Sequence, residues 1–475
     1  MRDKMVVRVT NGVNSGGSMT KLPSSLRILP LTAAVVLPAL FSSAQAANLT
    51  WDPTGVPTSP AGGSGTWNTT SSFWSNGSTD SVWTNANNDS AIFGGTAGTV
   101  TLGTPITVNN LTFNTKGYTI TGGTITINGT ITAAGGGSSN IFSTITGSNG
   151  LTKAGNDILN LNGANTYTGN TTIASGSLFT KAANALPTNT TVIFGSDTAS
   201  LVLKSVGQTV AGISSTSSLS SITVDGSGNF DPTLTIDPSN GPGGGTDSTF
   251  SGTISNGTSG NHPVLSLTKA GAHSLTLSGT NTYTGVTTVS GGTLAVNGTH
   301  TGAGAYVISG GTLAGTGRIT STTGFTFSSS GTLNAGAAGT GNIGTLLLNG
   351  PVSASSASTF VFDVGGASNT YDIVKLASLN ANNITLSLTD KGAYTWVNGD
   401  VLHLFENISG GNIAISGTFA DILLPTLSGG LTWDTSSLYT SGTLAVTVPE
   451  PSTIGTMILG MALTGAMIAY RRRRA

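Results

Sequence analysis

Short runs in which apolar and polar residues alternate are the dominant pattern of this chain. Residues 118–121 read Tyr-Thr-Ile-Thr, and after two glycines residues 124–131 read Thr-Ile-Thr-Ile-Asn-Gly-Thr-Ile. Period-two alternation that is rich in β-branched residues and broken by Gly-Gly or Asn-Gly is typical of short strands joined by turns. Between the two termini, no window shows a convincing apolar period of 3.6 residues. The pattern therefore predicts an all-β protein.

An internal repeat indicates how these strands are arranged. Residues 151–178 read LTKAGNDILNLNGANTYTGNTTIASGSL and residues 267–294 read LTKAGAHSLTLSGTNTYTGVTTVSGGTL, with 17 of 28 positions identical and no gap. One such unit cannot bury its apolar face alone, whereas units stacked on one another can. We therefore expect a solenoid whose strands lie parallel at a spacing of about 4.8 Å.

The shared pattern LTKxGxxxLxLxGxNTYTGxTTxxxGxL resembles the autotransporter-associated beta strand repeat. That repeat occurs in the passenger regions of autotransporter adhesins and in large bacterial envelope proteins. The resemblance implies a right-handed parallel β-helix (β-solenoid). Together with weaker echoes at residues 309–317 and 330–336, the two strong copies place this solenoid over residues 97–365.

The two flanks of the expected solenoid differ from it in composition. Residues 366–447 are richer in Asp, Lys and aromatic residues, and we expect a C-terminal β capping region there, either a sandwich or irregular last coils. Residues 47–96 are rich in tryptophan, and we expect them to cap the first open coil, since an uncovered edge promotes aggregation. A sugar-stacking platform is the alternative for these rings. The tryptophans of this segment are Trp51, Trp67, Trp74 and Trp83.

The N-terminal 46 residues have the pattern of a secretory signal peptide. Basic residues precede an apolar stretch at residues 28–41, and a small-x-small cleavage site follows it. Met19 would begin a signal of ordinary proportions, and we expect the mature chain to begin at Ala47 after export by the Sec machinery. The residues that mark the signal are Lys21 and Arg27 before the apolar stretch and Ala44 and Ala46 at the cleavage site.

The C-terminal residues 448–475 combine three features. A Pro-Glu-Pro tripeptide precedes an uncharged apolar run at residues 454–470, and four arginines follow that run. A run of this length is at the short limit for a membrane-spanning helix, and the arginines favour a cytoplasmic end. The residues concerned are Pro449, Glu450 and Pro451 in the tripeptide and Arg471, Arg472, Arg473 and Arg474 in the basic stub.

This arrangement resembles the PEP-CTERM sorting signal of Gram-negative bacteria. The resemblance implies an inner-membrane intermediate with a single transmembrane helix, recognition by an exosortase, removal of the tail, and delivery to the cell surface or extracellular matrix. The alternative is an ordinary C-terminal anchor that is never processed.

The net charge and the absence of cysteine limit the partners and the kind of stabilisation that this protein can have. Between residues 47 and 449, eight Lys or Arg against sixteen Asp or Glu leave a net charge of −8. No basic patch is therefore available to neutralise phosphates, which argues against a nucleic-acid partner. The chain contains no cysteine, so packing and backbone hydrogen bonds must stabilise it without disulfides.

Candidate catalytic groups are sparse. Apart from Glu450 and the C-terminal arginines, the mature chain has one glutamate, Glu406, and one arginine, Arg318. Polysaccharide hydrolysis needs paired carboxylates, and we predict no catalytic residue, no metal and no cofactor. Residues 225–231 offer oxygens at alternate positions as calcium loops do, but a turn between two strands explains them equally.

The sequence therefore predicts an exported, non-enzymatic surface or matrix protein. Adhesion or a biofilm scaffold is the expected use, with exopolysaccharide as a partner. A carbohydrate-active enzyme on the same fold, either a polysaccharide lyase or a hydrolase, is the alternative.

Overall fold

A computed structural model describes residues 46–449 except 205, 229, 242–244, 337–342, 368–369 and 393. Strands dominate these residues, and the only α-helix among them is the single turn Leu438–Ser441. Two 3₁₀ turns lie at Asn85–Asn87 and Pro238–Asn240. The all-β prediction is confirmed for the described part of the chain. None of its helices is long and apolar enough to cross a membrane, and the span expected at residues 454–470 lies outside the described residues.

The first half of the body has three sheet faces. The first face contains Asn48–Trp51, Trp74–Ser75, Asp80–Ser81, Ser90–Phe93, Leu111–Phe113, Thr130–Ala133, Leu151–Ala154, Thr171–Ile173, Thr191–Phe194 and Gly212–Ser214. The second contains Gly65–Trp67, Thr99–Leu102, Thr119–Thr121, Ser138–Ile141, Ile158–Leu161, Ser177–Thr180, Ser200–Leu203, Ser221–Val224 and Thr253–Ile254. The third contains Ile106–Val108, Thr124–Ile127 and Thr144–Thr146.

In the second half the pairing continues through one large curled sheet. Its strands are Gln208–Val210, Thr233–Ile236, Ser248–Phe250, Ser266–Lys269, Ser274–Leu277, Thr280–Asn281, Thr287–Val289, Thr293–Val296, Thr299–Ala303, Tyr306–Ile308, Thr312–Gly315, Arg318–Ser321, Phe325–Phe327, Thr332–Ala335, Thr345–Ala354, Thr359–Val364, Ile373–Asp390, Phe405–Asn407 and Ile415–Leu423. A separate antiparallel sheet contains Val401–His403, Thr432–Asp434 and Thr443–Thr447.

Strand pairing has the register of a parallel solenoid. In the first half, Thr99 lies opposite Thr119 and Leu111 opposite Ile131, both one coil of 20 residues apart. In the second half, Thr287 lies opposite Tyr306, and the next strand pairs with the same 19-residue offset. Each coil therefore stacks its strands on those of the preceding coil, which is how a single coil without a core of its own buries its apolar face.

Stacking produces columns of like side chains inside the solenoid. One inward column runs through Leu49, Ala91, Leu111 and Ile131, each in register with the next. All four are at most 5% exposed. Because side chains alternate between the two faces of a strand, the period-two pattern of the sequence places these residues inside and their Thr and Asn neighbours outside.

The N-terminal tryptophans form one buried cluster. All four indoles are at most 1% exposed, and the Trp67 and Trp74 ring centroids lie 4.7 Å apart. The short antiparallel strands Trp74–Ser75 and Asp80–Ser81 cover the edge of Asn48–Trp51. No face of these rings is open to stack on a sugar, so the sugar-stacking alternative for this cluster is wrong.

The C-terminal part combines both kinds of pairing. The long strands Thr345–Ala354 and Ile373–Asp390 pair in parallel, and Ile415–Leu423 continues the same sheet. The antiparallel sheet takes one strand from before Ile415–Leu423, Val401–His403, and two from after it, Thr432–Asp434 and Thr443–Thr447. Tyr394, Trp396 and Trp433 pack at this end as a partly exposed chain of rings.

Candidate functional site

A buried lysine lies at the centre of each strong repeat. Lys153 occupies the inward column between Ile131 and Ile173 and is fully buried. Its position follows from the alternation, because Leu151 and Lys153 lie on the same face of their strand. The Nζ atom donates to the carbonyl oxygens of Gly155 at 2.5 Å and Ser175 at 2.7 Å. The ammonium therefore joins turns that belong to two successive coils.

Lys269 repeats this arrangement in the second copy. It is fully buried between Ile236 and Val289. Its Nζ donates to Gly271 O at 3.1 Å and Gly291 O at 3.2 Å, the counterparts of the two acceptors in the first copy. Two further carbonyls complete its shell, Ala270 O at 2.6 Å and Ala272 O at 3.4 Å.

A glycine of the repeat makes room for each lysine. Gly176 and Gly292 have φ of 66° and 59°, in the left-handed region that favours glycine. A Cβ atom at Gly176 would lie 2.5 Å from both Lys153 Nζ and Gly155 O, and one at Gly292 would lie 2.8 Å from Lys269 Nζ and 2.2 Å from His273 O. The Lys and Gly of the sequence pattern are thus two parts of one turn. We call each such lysine, with the carbonyls around it, a lysine cage.

Burial changes the acidity of both cage lysines. Removal from water lowers the pKa of Lys153 to about 8, and Asp157 opposes this shift. The pKa of Lys269 is lowered to about 8 for the same reason, against the opposing effect of Asp237 and Asp247. Neither amine is exposed to reach a substrate, so the cages act on the fold and not on an external ligand. Sequence reasoning identified the matching lysines but did not assign them to the interior.

The Asn and Tyr of the NTYTG segment join neighbouring coils. The Asn165 side chain accepts from Ile145 N at 2.8 Å and donates to Ala185 O at 2.7 Å, one coil on either side. The buried hydroxyl of Tyr167 bonds Thr171 Oγ1 at 2.6 Å. In the second copy Asn281 accepts from Ile254 N at 3.0 Å.

A histidine extends the second copy. The His300 ring stacks on Tyr283 with centroids 4.2 Å apart, and its Nε2 lies 2.8 Å from Tyr283 O. Its Nδ1 lies 2.5 Å from the hydroxyl of Tyr306. Burial lowers the pKa of His300, so the ring is neutral at physiological pH. No sequence pattern indicated this cluster, because the histidine lies outside the repeated segment.

Several outward positions in the first half are polar and uncharged, whereas one column of the second half runs through Arg318, Lys375 and Glu406. Thr112 lies opposite Thr132 on one face. On another, Thr126 and Thr146 share a hydrogen bond of 2.8 Å between their Oγ1 atoms. The Asn160 side chain, itself only 3% exposed, donates to Asn140 Oδ1 at 3.0 Å. The half-buried Asn140 amide and the threonine hydroxyls are groups that can form hydrogen bonds with sugar hydroxyls.

Acidic residues are dispersed over the described surface. No three His, Asp or Glu side chains in this part of the chain approach closely enough to hold a metal ion. In the segment weighed for calcium, Asp225 lies 3.6 Å from Lys204 Nζ and Asp231 lies 3.9 Å from His262. The carboxylates of that segment therefore face partners on other coils.

One carboxyl pair is buried near the C-terminal end. Asp363 and Asp372 are 2% and 0% exposed. The Asp372 carboxyl accepts from the backbone N–H of Asp363 at 2.9 Å and of Gly344 at 2.8 Å. Burial raises the pKa of Asp372 to about 7, and these two N–H donors oppose the shift. A polysaccharide cannot reach this pair, because both side chains lie beneath the surface.

Comparison with known proteins identifies two signatures. The passenger-associated-transport-repeat family matches residues 151–178 and 267–296, which are the segments built around the lysine cages. The PEP-CTERM protein-sorting motif matches residues 447–474. The chain carries both signatures. The resemblances recognised in the sequence are therefore confirmed, and the cage geometry describes how the transport repeat folds.

The chain is also similar to part of a much longer protein. Over 164 residues it is 39% identical to the adhesin BmaC autotransporter of Brucella suis biovar 1 (strain 1330). The match covers 33% of this chain and 5% of the adhesin, so the chain spans a small fraction of that relative.

Most of the predicted targeting residues lie outside the described part of the chain. Ala44, Glu450, Pro451 and the arginines of the basic stub are among these. Ala46 and Pro449 are described, and both are exposed. The last strand of the antiparallel sheet, Thr443–Thr447, ends two residues before Pro449. The Pro-Glu-Pro tripeptide therefore begins directly after the last strand that the structure describes.

Proposed function

We propose that this chain is an exported, non-enzymatic cell-surface protein of the adhesin type that an exosortase processes. The observation that carries the proposal is the joint presence of transport repeats and a PEP-CTERM motif in one chain. Similarity to a stretch of an autotransporter adhesin supports the same class. The final location is the cell envelope surface or the extracellular matrix.

The outward Thr and Asn columns are the proposed adhesive surface, and exopolysaccharide is the proposed partner in a biofilm. Single hydrogen bonds between hydroxyl groups are weak in water. Many of them at a fixed spacing raise the avidity without requiring any deep pocket. The same proposal includes a right-handed winding of the solenoid, as the resemblance to β-helices implies. It also includes two caps, formed by the tryptophan-rich residues 47–96 and by residues 366–447.

The proposed processing has two steps. The Sec machinery exports the chain and signal cleavage follows Ala46. Residues 454–470 then hold an inner-membrane intermediate with the arginines in the cytoplasm, until the exosortase cuts near Pro449-Glu450-Pro451. Val448 and Pro449 directly follow the last strand and are exposed, which suits a protease, because a folded strand would have to unpair before cleavage.

The processing proposal is tested with Glu450→Ala in the intact precursor. We expect the variant to accumulate in the inner membrane with its C-terminal tail, while the unaltered chain reaches the surface and ends near Pro449. Intact mass of each membrane fraction measures this. Glu406→Ala is the matched control, since it removes the other glutamate of the mature chain and leaves the motif untouched. If the surface form of the unaltered chain still ends at Ala475, the exosortase proposal is wrong.

The adhesion proposal is tested on the purified mature protein with immobilised exopolysaccharide from the producing cells. We expect retention that falls when several outward threonines of one column are replaced by alanine together. Scattered replacement of the same number of threonines on different columns is the control. Absence of retention would refute the adhesion proposal, and release of reducing ends would support the enzyme alternative.

A further inference from the structure

One lysine and one aspartate near the C-terminal end form an unusual pair. Lys391 Nζ lies 3.7 Å from Asp363 Oδ1. The Asp363 side chain is 3% exposed, and this Oδ1 is buried without a hydrogen bond. The Lys391 backbone N–H donates to Val364 O at 2.8 Å, so the chain on both sides of the pair is held in place.

A third group lies beside this pair. The Asp372 carboxyl interacts electrostatically with both Asp363 and Lys391, and it accepts the backbone N–H of Asp363 at 2.9 Å. The Asp372 N–H donates in turn to Asp363 O at 2.9 Å. Both oxygens of the Asp372 carboxyl therefore accept backbone N–H groups, one from Gly344 and one from Asp363.

We propose that Lys391 and Asp363 condense into an intramolecular amide bond. Lys391 Nζ attacks the Asp363 carboxyl carbon, a C–N bond forms and one C–O bond breaks. One amine hydrogen and the carboxyl OH leave together as a water molecule, so no oxidant, reductant or co-reactant is required. Asp372 is a positioning residue, since its carboxyl holds the backbone of Asp363 in place.

Two physical effects favour the reaction. The fold holds an amine and a carboxyl close together, which replaces a bimolecular encounter by an intramolecular step. The product also removes a buried carboxylate oxygen that has no hydrogen-bond donor, which is a costly state inside a protein. A neutral amide has no such charge to desolvate.

The chain offers an internal contrast. Lys375 Nζ lies closer to its carboxylate, 2.9 Å from Glu406 Oε2. The two lysines are similarly exposed, at 34% for Lys375 and 31% for Lys391, but the Glu406 side chain is 25% exposed and that of Asp363 only 3%. We expect Lys375 and Glu406 to stay an ion pair, because burial of the carboxylate and the neighbouring carboxyl, rather than distance, distinguish the reactive pair.

The bond would join the strand Thr359–Val364 to the residue after Ile373–Asp390. These strands already pair in parallel through Asp363 and Thr389. A covalent link across this pair would close a loop at the end of the solenoid and restrict the unfolded chain there, as a disulfide does. A chain without cysteine has no disulfide available for this purpose.

Mass spectrometry of the full mature protein tests the proposal. We expect an intact mass below that of its sequence by one water molecule. Trypsin should leave residues 319–375 covalently attached to the peptide that begins at residue 376, with no cleavage after Lys391. Fragmentation of that product should place the link at Asp363. A mass equal to that of the sequence, with Lys391 open to acetylation and to trypsin, would refute the proposal.

Substitutions of single residues distinguish loss of the amide bond from loss of the folded structure. Lys391→Arg keeps the positive charge and should restore the full mass, while Lys375→Arg should leave the loss of one water unchanged. Asp363→Asn should lose ammonia instead of water and reach the same final mass as the unaltered protein. Asp372→Asn should slow or stop bond formation while circular dichroism stays β-rich. If the Lys391→Arg variant still loses one water molecule, the assignment of the amide bond to Lys391 is wrong. If the Asp372→Asn variant forms the bond at the same rate, Asp372 has no role in the reaction.

Discussion

The two transport repeats each bury one lysine with the same types of residue, but the residues around the two lysines differ. Lys153 and Lys269 lie 116 residues apart in the sequence. The Nζ atom of each donates hydrogen bonds to two carbonyl oxygens at equivalent positions of the turns. The first cage has two carbonyl acceptors, whereas the second has four. The repeated residues thus specify the turn, and the local backbone decides how completely the ammonium is satisfied.

The polar side chains around the cages differ more. Asn165 is bonded through both its oxygen and its nitrogen, while the buried nitrogen of Asn281 has no partner within the described residues. Thr171 bonds a second threonine, Thr190, at 2.9 Å. In the second copy the corresponding region leads into the His300 cluster. Identical motifs therefore have different stability contributions, because each contacts the coils before and after it.

Removing the cage lysines should have the largest effect. Lys153→Ala and Lys269→Ala each leave a cavity and unsatisfied carbonyls, and we expect a loss of about 3–5 kcal/mol in the free energy of unfolding. Lys269→Ala should lose more, since four carbonyls lose their donor. Chemical denaturation measures this, with the exposed Lys116→Ala as control. Equal, small losses in all three variants would contradict the cage interpretation.

Substitutions that fill the space beside each lysine should lower the free energy of unfolding by somewhat less than removal of the lysine does. Gly176→Ala and Gly292→Ala introduce left-handed strain of about 1–2 kcal/mol, and the Cβ atom also displaces the lysine. We expect a total loss of about 2–3 kcal/mol in the free energy of unfolding. Gly136→Ala is the control, because Gly136 has φ of 84° with no atom within 4 Å of an added Cβ. If the control loses as much stability as the other two variants, the close contacts at Gly176 and Gly292 add nothing to the backbone strain.

Raising the pH should stabilise both repeats. The pKa of each cage lysine is lowered from 10.5 to about 8 in the folded state, so the unfolded state binds more protons between these values. Stability therefore rises with pH in this window, by about 1 kcal/mol per lysine between pH 8 and 9. Thermal unfolding at each pH measures it. Replacement of both lysines by methionine should remove this dependence of stability on pH. If stability still rises with pH in that variant, other titrating groups cause the rise.

The smallest effect should distinguish the two tyrosines. Tyr167→Phe leaves Thr171 bonded to Thr190, whereas Tyr283→Phe disturbs a hydroxyl that interacts with both Thr287 and Tyr306. We expect losses of about 0.5 and 1.5 kcal/mol, respectively, in the free energy of unfolding. The two variants are each other's control. The reverse order would show that the second network contributes nothing beyond its packing.

Much of the fold could be read from the alternation of residues. Thr124 and Ile125 already predict which side chain is outside and which is inside, because strand geometry fixes the period. The gapless repeat predicts stacking for the same reason. The Gly residues predict turns, and the apolar terminal segments predict export and sorting.

The interior lysines and the buried acids could not be read in this way. Alternation places Lys153 inside, but an isolated charged residue is far more often exposed, and only the surrounding carbonyls make its burial tolerable. Asp363 and Lys391 are 28 residues apart, and no local pattern connects them. Their contact depends on how the long C-terminal strands register.

The sequence by itself determined the β class, the repeated coil and the sorting motif, because these depend on short-range periodicity and on local motifs. Tertiary structure decided which polar groups become neighbours: the lysine cages, the His300 cluster and the pair of Lys391 with Asp363. Stacking brings together residues about one coil apart, and the length of each coil depends on turns whose conformation is settled only when the coils pack.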